Sequence, residues 1–131
     1  MNIIKGRGIF KGVAKGEALV MKQPFSFLGG VNPDTGIIIE RGHELEGQSV
    51  AGKILLFPKG KGSTGGSYVL MEMKHQGVAP NAIINLNTET IIAVGAILAE
   101  IPLIDQLEQD PFQLITTGDF LEVDGDCIII N

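Results

Sequence analysis

Residues 58–67, Pro-Lys-Gly-Lys-Gly-Ser-Thr-Gly-Gly-Ser, concentrate the groups of this sequence that could do chemistry. We call them the serine loop. An apolar run at residues 54–57 leads into it and a helical pattern beginning near Tyr68 leads out, so it should join a strand to a helix. Glycines allow a backbone to approach a ligand closely, and the N–H groups at a helix start face whatever the preceding loop holds. The stretch is therefore predicted to be an anion or oxyanion site that contains hydroxyl groups.

Nucleotide binding is disfavoured for this loop. The spacing Gly60-x-Gly62-x-x-Gly65 matches the dinucleotide fingerprint, and Glu89 follows roughly where a ribose-binding acid is sought. However, the chain has too few residues for a full dinucleotide fold, and several predicted strands precede the motif. A Walker phosphate loop is excluded because no Gly-Lys-Ser/Thr triplet ends the run.

Two other interpretations remain open at this point: a purely structural turn, and a serine that takes part in a reaction. A serine hydroxyl acts as a base or nucleophile only if its oxyanion is stabilised or a neighbouring base removes its proton. Backbone N–H groups and lysine charge could supply that stabilisation. A hydrolase that pairs Ser63 with His43 or His75 is disfavoured, because no Gly-x-Ser-x-Gly elbow surrounds Ser63.

Composition indicates one globular domain, residues 1–131, with a real core, since 44% of the residues are hydrophobic. The net charge of −5 argues against nucleic acid as the main partner. The charges are unevenly distributed: all ten Lys and Arg residues lie at or before Lys74, and nine acids follow His75. The serine loop belongs to the positive part, which favours an anionic ligand.

The single cysteine, Cys127, excludes a disulfide within the chain and indicates a reducing compartment. This chain alone cannot supply the four cysteines of an ordinary iron–sulfur cluster. No signal-peptide pattern is visible, and no apolar run approaches the roughly 20 residues of a membrane span. We therefore expect a cytoplasmic protein with no membrane partner.

The first half of the chain is predicted to be mainly β-structure. Residues 2–20 are a glycine-punctuated β region, and residues 36–40 and 50–57 are two further strands. Between them, Phe25 and Phe27 are either core anchors or an exposed apolar wall over a binding site. His43, in a polar loop, is expected at the surface.

The second half alternates helices and strands. One helix should end at Gly77, followed by a strand at residues 82–86, a helix capped by Thr88 with Glu89 in its first turn, and a strand at residues 101–104. Residues 107–116 are ambiguous, and an Asp124-Gly125 turn predicts a closing hairpin. The order favours one mixed α/β domain, a barrel- or sandwich-like sheet with two packed helices.

Several motifs resemble one known family, the small subunits of the aconitase X proteins. They are Ser26-Phe27-Leu28-Gly29-Gly30-Val31, Asp34-x-Gly36, Val50-Ala51-Gly52-Lys53, Gly60-Lys61-Gly62-Ser63-Thr64-x-Gly66-Ser67-Tyr68-Val69-Leu70, Ala79-Pro80-x-Ala82-Ile83-Ile84, Glu89-Thr90-Ile91 and Ala99-Glu100-Ile101-Pro102-Leu103. Together they cover nearly the whole chain in one order. The resemblance implies a swivelling β/β/α domain like the fourth domain of aconitase. It also implies a partner, a large subunit that carries an iron–sulfur cluster (4Fe-4S), with none bound by this chain.

The resemblance further implies a hydro-lyase in which Ser63, at the position of the aconitase serine base, is catalytic. The residues implied to bind an anionic substrate are Gly29, Gly30, Lys61, Gly62, Thr64, Gly65, Gly66 and Ser67. Aconitase has an arginine where this chain has Gly65, so Lys61 or the large subunit should meet the substrate's charge. Leu28 and Thr64 replace the Trp and Cys typical of the related cis-3-hydroxy-L-proline dehydratases, which favours the branch that acts on phosphomevalonate. The alternatives are a hydroxyproline dehydratase subunit and a non-catalytic domain that binds a phosphorylated ligand.

Overall fold

The structure, a computed structural model, describes residues 2–62 and 64–131. Its strands and helices, in chain order, are β1 (Asn2–Lys5), β2 (Arg7–Phe10), β3 (Val13–Val20), β4 (Ile54–Leu56), α1 (Gly65–Gln76), β5 (Ala82–Ile84), α2 (Thr90–Ala99), β6 (Leu103–Asp105), α3 (Pro111–Leu114), β7 (Phe120–Asp124) and β8 (Cys127–Ile130). The predicted mixed α/β class is confirmed, with a short third helix in the ambiguous stretch.

The eight strands form a nearly closed, barrel-like sheet in the order β1-β8-β7-β3-β4-β5-β6-β2. Its two end strands, β1 and β2, are consecutive in the chain and are joined by Gly6 alone. A Cβ at Gly6 would lie 2.6 Å from the Asp105 carbonyl oxygen, so only glycine allows the chain to turn here. One residue therefore connects the two end strands of the sheet.

β3 is shared by the two halves of the barrel. Its first residues pair antiparallel with β7, and Ala18–Val20 pair parallel with β4. From β4 the sheet continues parallel through β5 to β6, with α1 and α2 as the connections. The carboxyl ends of β4 and β5 consequently open at the same edge, which is where α/β sheets generally bind ligands.

The alternation of side chains along the parallel strands fills two cores. Ile54, Leu56 and Ile84 face the barrel interior together with residues of β1, β7 and β8. Leu55 and Ile83 face outward and pack against α1, α2 and the loop that contains Phe25. Because both faces are buried, these strands are continuous apolar runs and not alternating ones.

Two predicted strands are corrected. Residues 36–40 form isolated bridges, Val31↔Ile38 and Ile37↔Ser49, and no continuous strand, and the side chains of Ile37 and Ile39 are exposed. The strand predicted at residues 50–57 is confined to Ile54–Leu56, since residues 51 and 52 make a turn in which Gly52 has a φ of 72°.

The predicted closing hairpin is confirmed, with its loop at Gly125 and Asp126, because Asp124 already pairs with Cys127. Among residues 2–62 and 64–131, no helix has both the length and the apolar character that crossing a membrane requires.

Candidate active site

The serine loop lies at the carboxyl edge of the sheet, beside the loop that contains Phe25. The N–H of Phe25 donates to the carbonyl of Lys59 at 3.1 Å, and the N–H of Lys61 donates to the carbonyl of Phe25 at 3.1 Å. Ser63, the predicted catalytic residue, lies outside the described residues. Its two neighbours in the chain are described, and both are exposed: Gly62 and Thr64.

Close contacts at the glycines hold the serine loop in place. Gly60 is buried against the carboxylate of Glu89 and the side chain of Ile92. Gly62 has a φ of 94°, and a Cβ there would lie 2.9 Å from the hydroxyl oxygen of Ser26. These positions exclude larger residues for steric reasons, so the glycines are required by packing as well as by any ligand.

The loop of Gly29 and Gly30 packs onto the same site. Leu28 reaches the start of α1, where a Cβ at Gly65 would lie 2.9 Å from its Cδ2 atom. Gly29 is exposed with a φ of 82°, whereas Gly30 is buried against the ring of Phe25. The structure thus brings the two predicted substrate-binding segments together.

The start of α1 carries little that competes with an anionic ligand. Thr64 is the N-cap residue, but its side chain makes no capping hydrogen bond, and the first turn of the helix contains no acidic residue. Gly66 is buried beside Ile91, and Ser67 donates its hydroxyl hydrogen to the Ile91 carbonyl at 2.7 Å. The positive end of the α1 dipole therefore lies at the serine loop. The hydrogen bond from Ser67 joins this end of α1 to α2.

Glu89, and not Thr88, is the N-cap of α2, which corrects the prediction. Its two carboxylate oxygens accept hydrogen bonds from the N–H groups of Ile91 at 2.9 Å and Ile92 at 2.8 Å. A carboxylate at this position satisfies donors that would otherwise lack partners and interacts favourably with the helix dipole. The prediction failed because the backbone N–H of Thr88 is hydrogen-bonded to another group.

That other group is Asp105, a fully buried carboxylate at the end of β6. It accepts two hydrogen bonds from Arg7, both at 2.9 Å, and one from the Thr88 N–H at 2.8 Å. Burial alone would raise the pKa of Asp105, but the hydrogen bonds from Arg7 and Thr88, with the charge of Arg7, hold that pKa below its ordinary value. Asp105 thus remains ionised and fixes the residue before the α2 cap.

Asn85, also fully buried, links the ends of two strands. Its side-chain amide donates to the carbonyl of Phe57 at 2.9 Å and to that of Ile84 at 3.2 Å. Its side-chain oxygen faces the Thr88 hydroxyl at 3.4 Å. Phe57 is the last residue before the serine loop, so Asn85 ties the root of that loop to the residues that begin α2.

Sequence reasoning did not identify Asn85, Asp105 or Arg7 as parts of this edge. A signal was present: Asn85 and Asp105 each end an apolar β-strand run, and such polar residues at parallel strand ends meet at one edge of a sheet. The partner of Asp105 was invisible because Arg7 lies 98 residues away in the chain.

The cations of the serine loop point outward. Lys61 is half-exposed and forms a loose ion pair with Glu40, with 3.8 Å between its amino nitrogen and a carboxylate oxygen. Lys59 is exposed as well. Both charges are thus available at the surface of the loop, although Glu40 partly offsets that of Lys61.

Phe25 and Phe27 are fully buried core residues, so the alternative of an exposed aromatic wall is wrong. Their rings make edge contacts with each other and with Phe57, at 5.1 to 6.1 Å between centroids. His43, predicted at the surface, is also buried: its Nδ1 accepts the Leu45 N–H at 2.9 Å and its ring contacts that of Phe25. Its Nε2 atom has no hydrogen-bond partner among residues 2–62 and 64–131.

Metal binding finds no support in the described part of the chain. Among those residues, no group of three or more His, Cys, Asp or Glu side chains is placed to hold a metal ion.

Comparison with known proteins gives consistent results. The family model described as the aconitase X swivel domain matches residues 3–131. The phosphomevalonate dehydratase small subunit of Methanosarcina acetivorans is 55% identical over 93% of this chain and 85% of its own length. The protein of the same name from Archaeoglobus fulgidus is 56% identical over 92% of this chain and 90% of its own length.

A solved structure supports the same relationship. The crystal structure of aconitase X from Thermococcus kodakaraensis, in its holo form, matches with a TM-score of 0.94 and 45% sequence identity. The match covers 100% of this chain and 99% of that one.

Proposed function

The chain belongs to the aconitase X swivel domain family, and from this membership we propose that it is the small subunit of a hydro-lyase that dehydrates (R)-5-phosphomevalonate to trans-anhydromevalonate 5-phosphate. This is a step of the archaeal-type mevalonate pathway, carried out in the cytoplasm. The observation that carries the proposal is identity of 54 to 56% with relatives named as this subunit, over at least nine-tenths of the chain.

The chemistry proposed for this chain is proton removal and anion binding. Ser63, as an alkoxide, takes the proton on the carbon next to the substrate carboxylate, and the electron pair of that C–H bond forms the carbon–carbon double bond as the neighbouring hydroxyl leaves as hydroxide. Release of the proton from Ser63 balances the protonation of hydroxide to water and restores the alkoxide. An alkoxide is tolerable only near groups that stabilise negative charge. The start of α1 supports this role, because its dipole and N–H groups favour an anion there.

Substrate binding is assigned to the segments that meet at this edge. The dipole at the start of α1 and the charge of Lys61 hold an anionic group of the substrate. The loop of Gly29 and Gly30, which reaches α1 through Leu28, covers the bound substrate and excludes water. A phosphate and a carboxylate on one substrate suit a loop with two exposed lysines.

The remaining half of the site is assigned to a large subunit. Relatives named small subunits imply a second chain, and the family resemblance implies an iron–sulfur cluster on it. Such a cluster supplies Lewis-acid chemistry at the leaving hydroxyl. The family resemblance is the ground for assigning the cluster to the partner, and no step proposed for this chain depends on binding it.

The test is anaerobic co-expression with the large subunit, followed by assays of dehydration. Ser63→Ala should leave the complex assembled and lower kcat by about a hundredfold or more, as expected for removal of a general base. Ser49→Ala is the matched control, since the Ser49 hydroxyl accepts the Ala51 N–H at 3.1 Å within its own turn. Near wild-type turnover of Ser63→Ala would overturn the assigned role.

The same complex should be assayed with phosphomevalonate and with cis-3-hydroxy-L-proline. Turnover of phosphomevalonate alone supports the proposed substrate, and turnover of hydroxyproline alone contradicts it. If the chain forms no complex and instead binds a phosphorylated ligand by itself, the hydro-lyase proposal fails in favour of a non-catalytic binding domain.

A further inference from the structure

The outer side of α2 is unusually apolar for a helix at a protein surface. Its ten residues, Thr90–Ala99, include no charged residue. The inner side buries Ile92, Gly95, Ala96 and Ala99, as expected. The outer side exposes Val94, Ile97 and Leu98, with Leu98 56% exposed. A helix that faces water normally carries polar side chains on that side, so an apolar outer side indicates that something covers it.

The first two turns of α1 extend this surface. Tyr68 is 73% exposed, and Met71, one turn later, is also exposed. The second half of α1 instead exposes the polar residues Glu72, Lys74, His75 and Gln76. We call the exposed side chains of Tyr68, Met71, Val94, Ile97 and Leu98 the helix face. On α1, the residues of the helix face thus lie in the turns nearest the serine loop.

A groove of about 240 Å³ runs between the two helices within the helix face. Tyr68, Ile91, Val94 and Leu98 form its apolar walls, and no charged residue lines it among those that the structure describes. Thr64, Ser67 and Thr90, at the beginnings of the two helices, form one end. A chain seated in this groove would therefore lie directly beside the serine loop.

We propose that the helix face is the docking surface for the large subunit, which inserts an uncharged aromatic or aliphatic side chain into the groove. The identity of the occupant rests on the proposed function, in which a second chain supplies the other half of the active site. An occupant of this groove meets that requirement because the groove ends at Thr64 and Ser67.

A second copy of this chain fits the geometry less well. A symmetric contact through the same face would bring two α2 helices together. Such a dimer would offer each serine loop only an identical chain, whereas the proposed function requires a different chain for the other half of the site. The large subunit satisfies both the apolar surface and the incomplete site.

The test uses a matched pair of valines. Val94→Asp places a charge in the groove wall, whereas Val13→Asp places one on β3 at a position that is 77% exposed and does not line the groove. Binding of purified large subunit to immobilised small subunit gives Kd for each variant. We expect Val94→Asp to raise Kd at least tenfold and Val13→Asp to leave it within twofold of wild type. Circular dichroism of the isolated variants confirms that each is folded, and Leu98→Asp replaces Val94→Asp if that variant is not.

Each outcome of the binding measurements supports or overturns the proposed docking surface. Unchanged binding by Val94→Asp, or equal loss by both variants, overturns the docking surface while leaving the proposed function standing. A wild-type chain that binds no large subunit overturns the proposed function itself. If the isolated chain is a dimer that Val94→Asp dissociates, the occupant is a second copy and the inference is wrong.

Discussion

Gly60 lies against the carboxylate of Glu89, so closely that a Cβ at residue 60 would overlap an oxygen of that group. The same carboxylate caps α2 through its hydrogen bonds to Ile91 and Ile92. One side chain therefore fixes the start of α2 and limits what can stand at the start of the serine loop. The N-cap residue of α2 therefore helps to position the serine loop.

Gly60→Ala should displace the serine loop. The added methyl group overlaps Glu89 and lies 2.6 Å from the Ile92 side chain, which is too close for contact. We expect the variant to fold, to lose about 1–3 kcal/mol of unfolding free energy, and to lose most dehydratase activity in the complex. Urea unfolding and steady-state kinetics measure the two effects.

The control for this prediction is a double-mutant cycle with Glu89→Ser, which shortens the clashing side chain and keeps a residue that can cap α2. If the clash is the cause, Gly60→Ala costs less in the Glu89→Ser background than in the wild type. Strictly additive costs would show that the contact does not set the loop position.

Asn85→Ala should destabilise the protein because it leaves the buried carbonyls of Phe57 and Ile84 without their side-chain donor. The expected loss of unfolding free energy is about 1–3 kcal/mol. Asn87→Ala, an exposed neighbour on the same loop, should stay within about 0.5 kcal/mol of wild type. Equal losses for the two variants, by chemical denaturation, would contradict a specific role for the buried amide.

The Arg7–Asp105 pair should make stability depend on pH at the acid end. The folded state holds the pKa of Asp105 below its ordinary value, so the unfolded state binds more protons in mild acid. The contribution of this carboxylate is therefore complete above its unfolded pKa, about 4. It is lost as the pH falls through the lower folded pKa.

Asp105→Asn provides the comparison, because an amide has no proton to take up in this range. We expect the wild type to be more stable than Asp105→Asn at pH 7, and the difference between them to narrow steadily below about pH 4. Urea unfolding from pH 7 to pH 3 measures it. A difference that stays constant over this range would show that the pKa of Asp105 is not lowered by folding.

The elements that sequence reasoning predicted well are those whose signals are local. Gly77 ends α1 with a φ of 78°, as its position after a helical pattern indicates. The apolar runs separated by residues 125 and 126 pair as the predicted hairpin. Asp110 followed by Pro111 is also a local helix start, and it explains α3 in the stretch that was left ambiguous.

The predictions that were wrong concern residues whose positions depend on tertiary contacts. An Ile-Ile-Ile run at residues 37–39 has the composition of a buried strand, but only Ile38 found a buried position. His43 stands among charged neighbours, yet the fold places it against Phe25. The serine loop was found from its composition. The groups that hold it in place, Asn85, Glu89 and Asp105, come from other parts of the chain. Only the fold shows that they lie at the same edge.

The single-residue link at Gly6 has a consequence for how the chain is made. β1 pairs with Cys127–Ile130 and β2 pairs with Leu103–Asp105, so both strands are synthesised well before their partners. The barrel therefore cannot close during translation until its last strand has emerged, and the open edges of the nascent sheet must be kept from pairing with other chains. Closing this seam therefore joins segments that lie far apart in the chain.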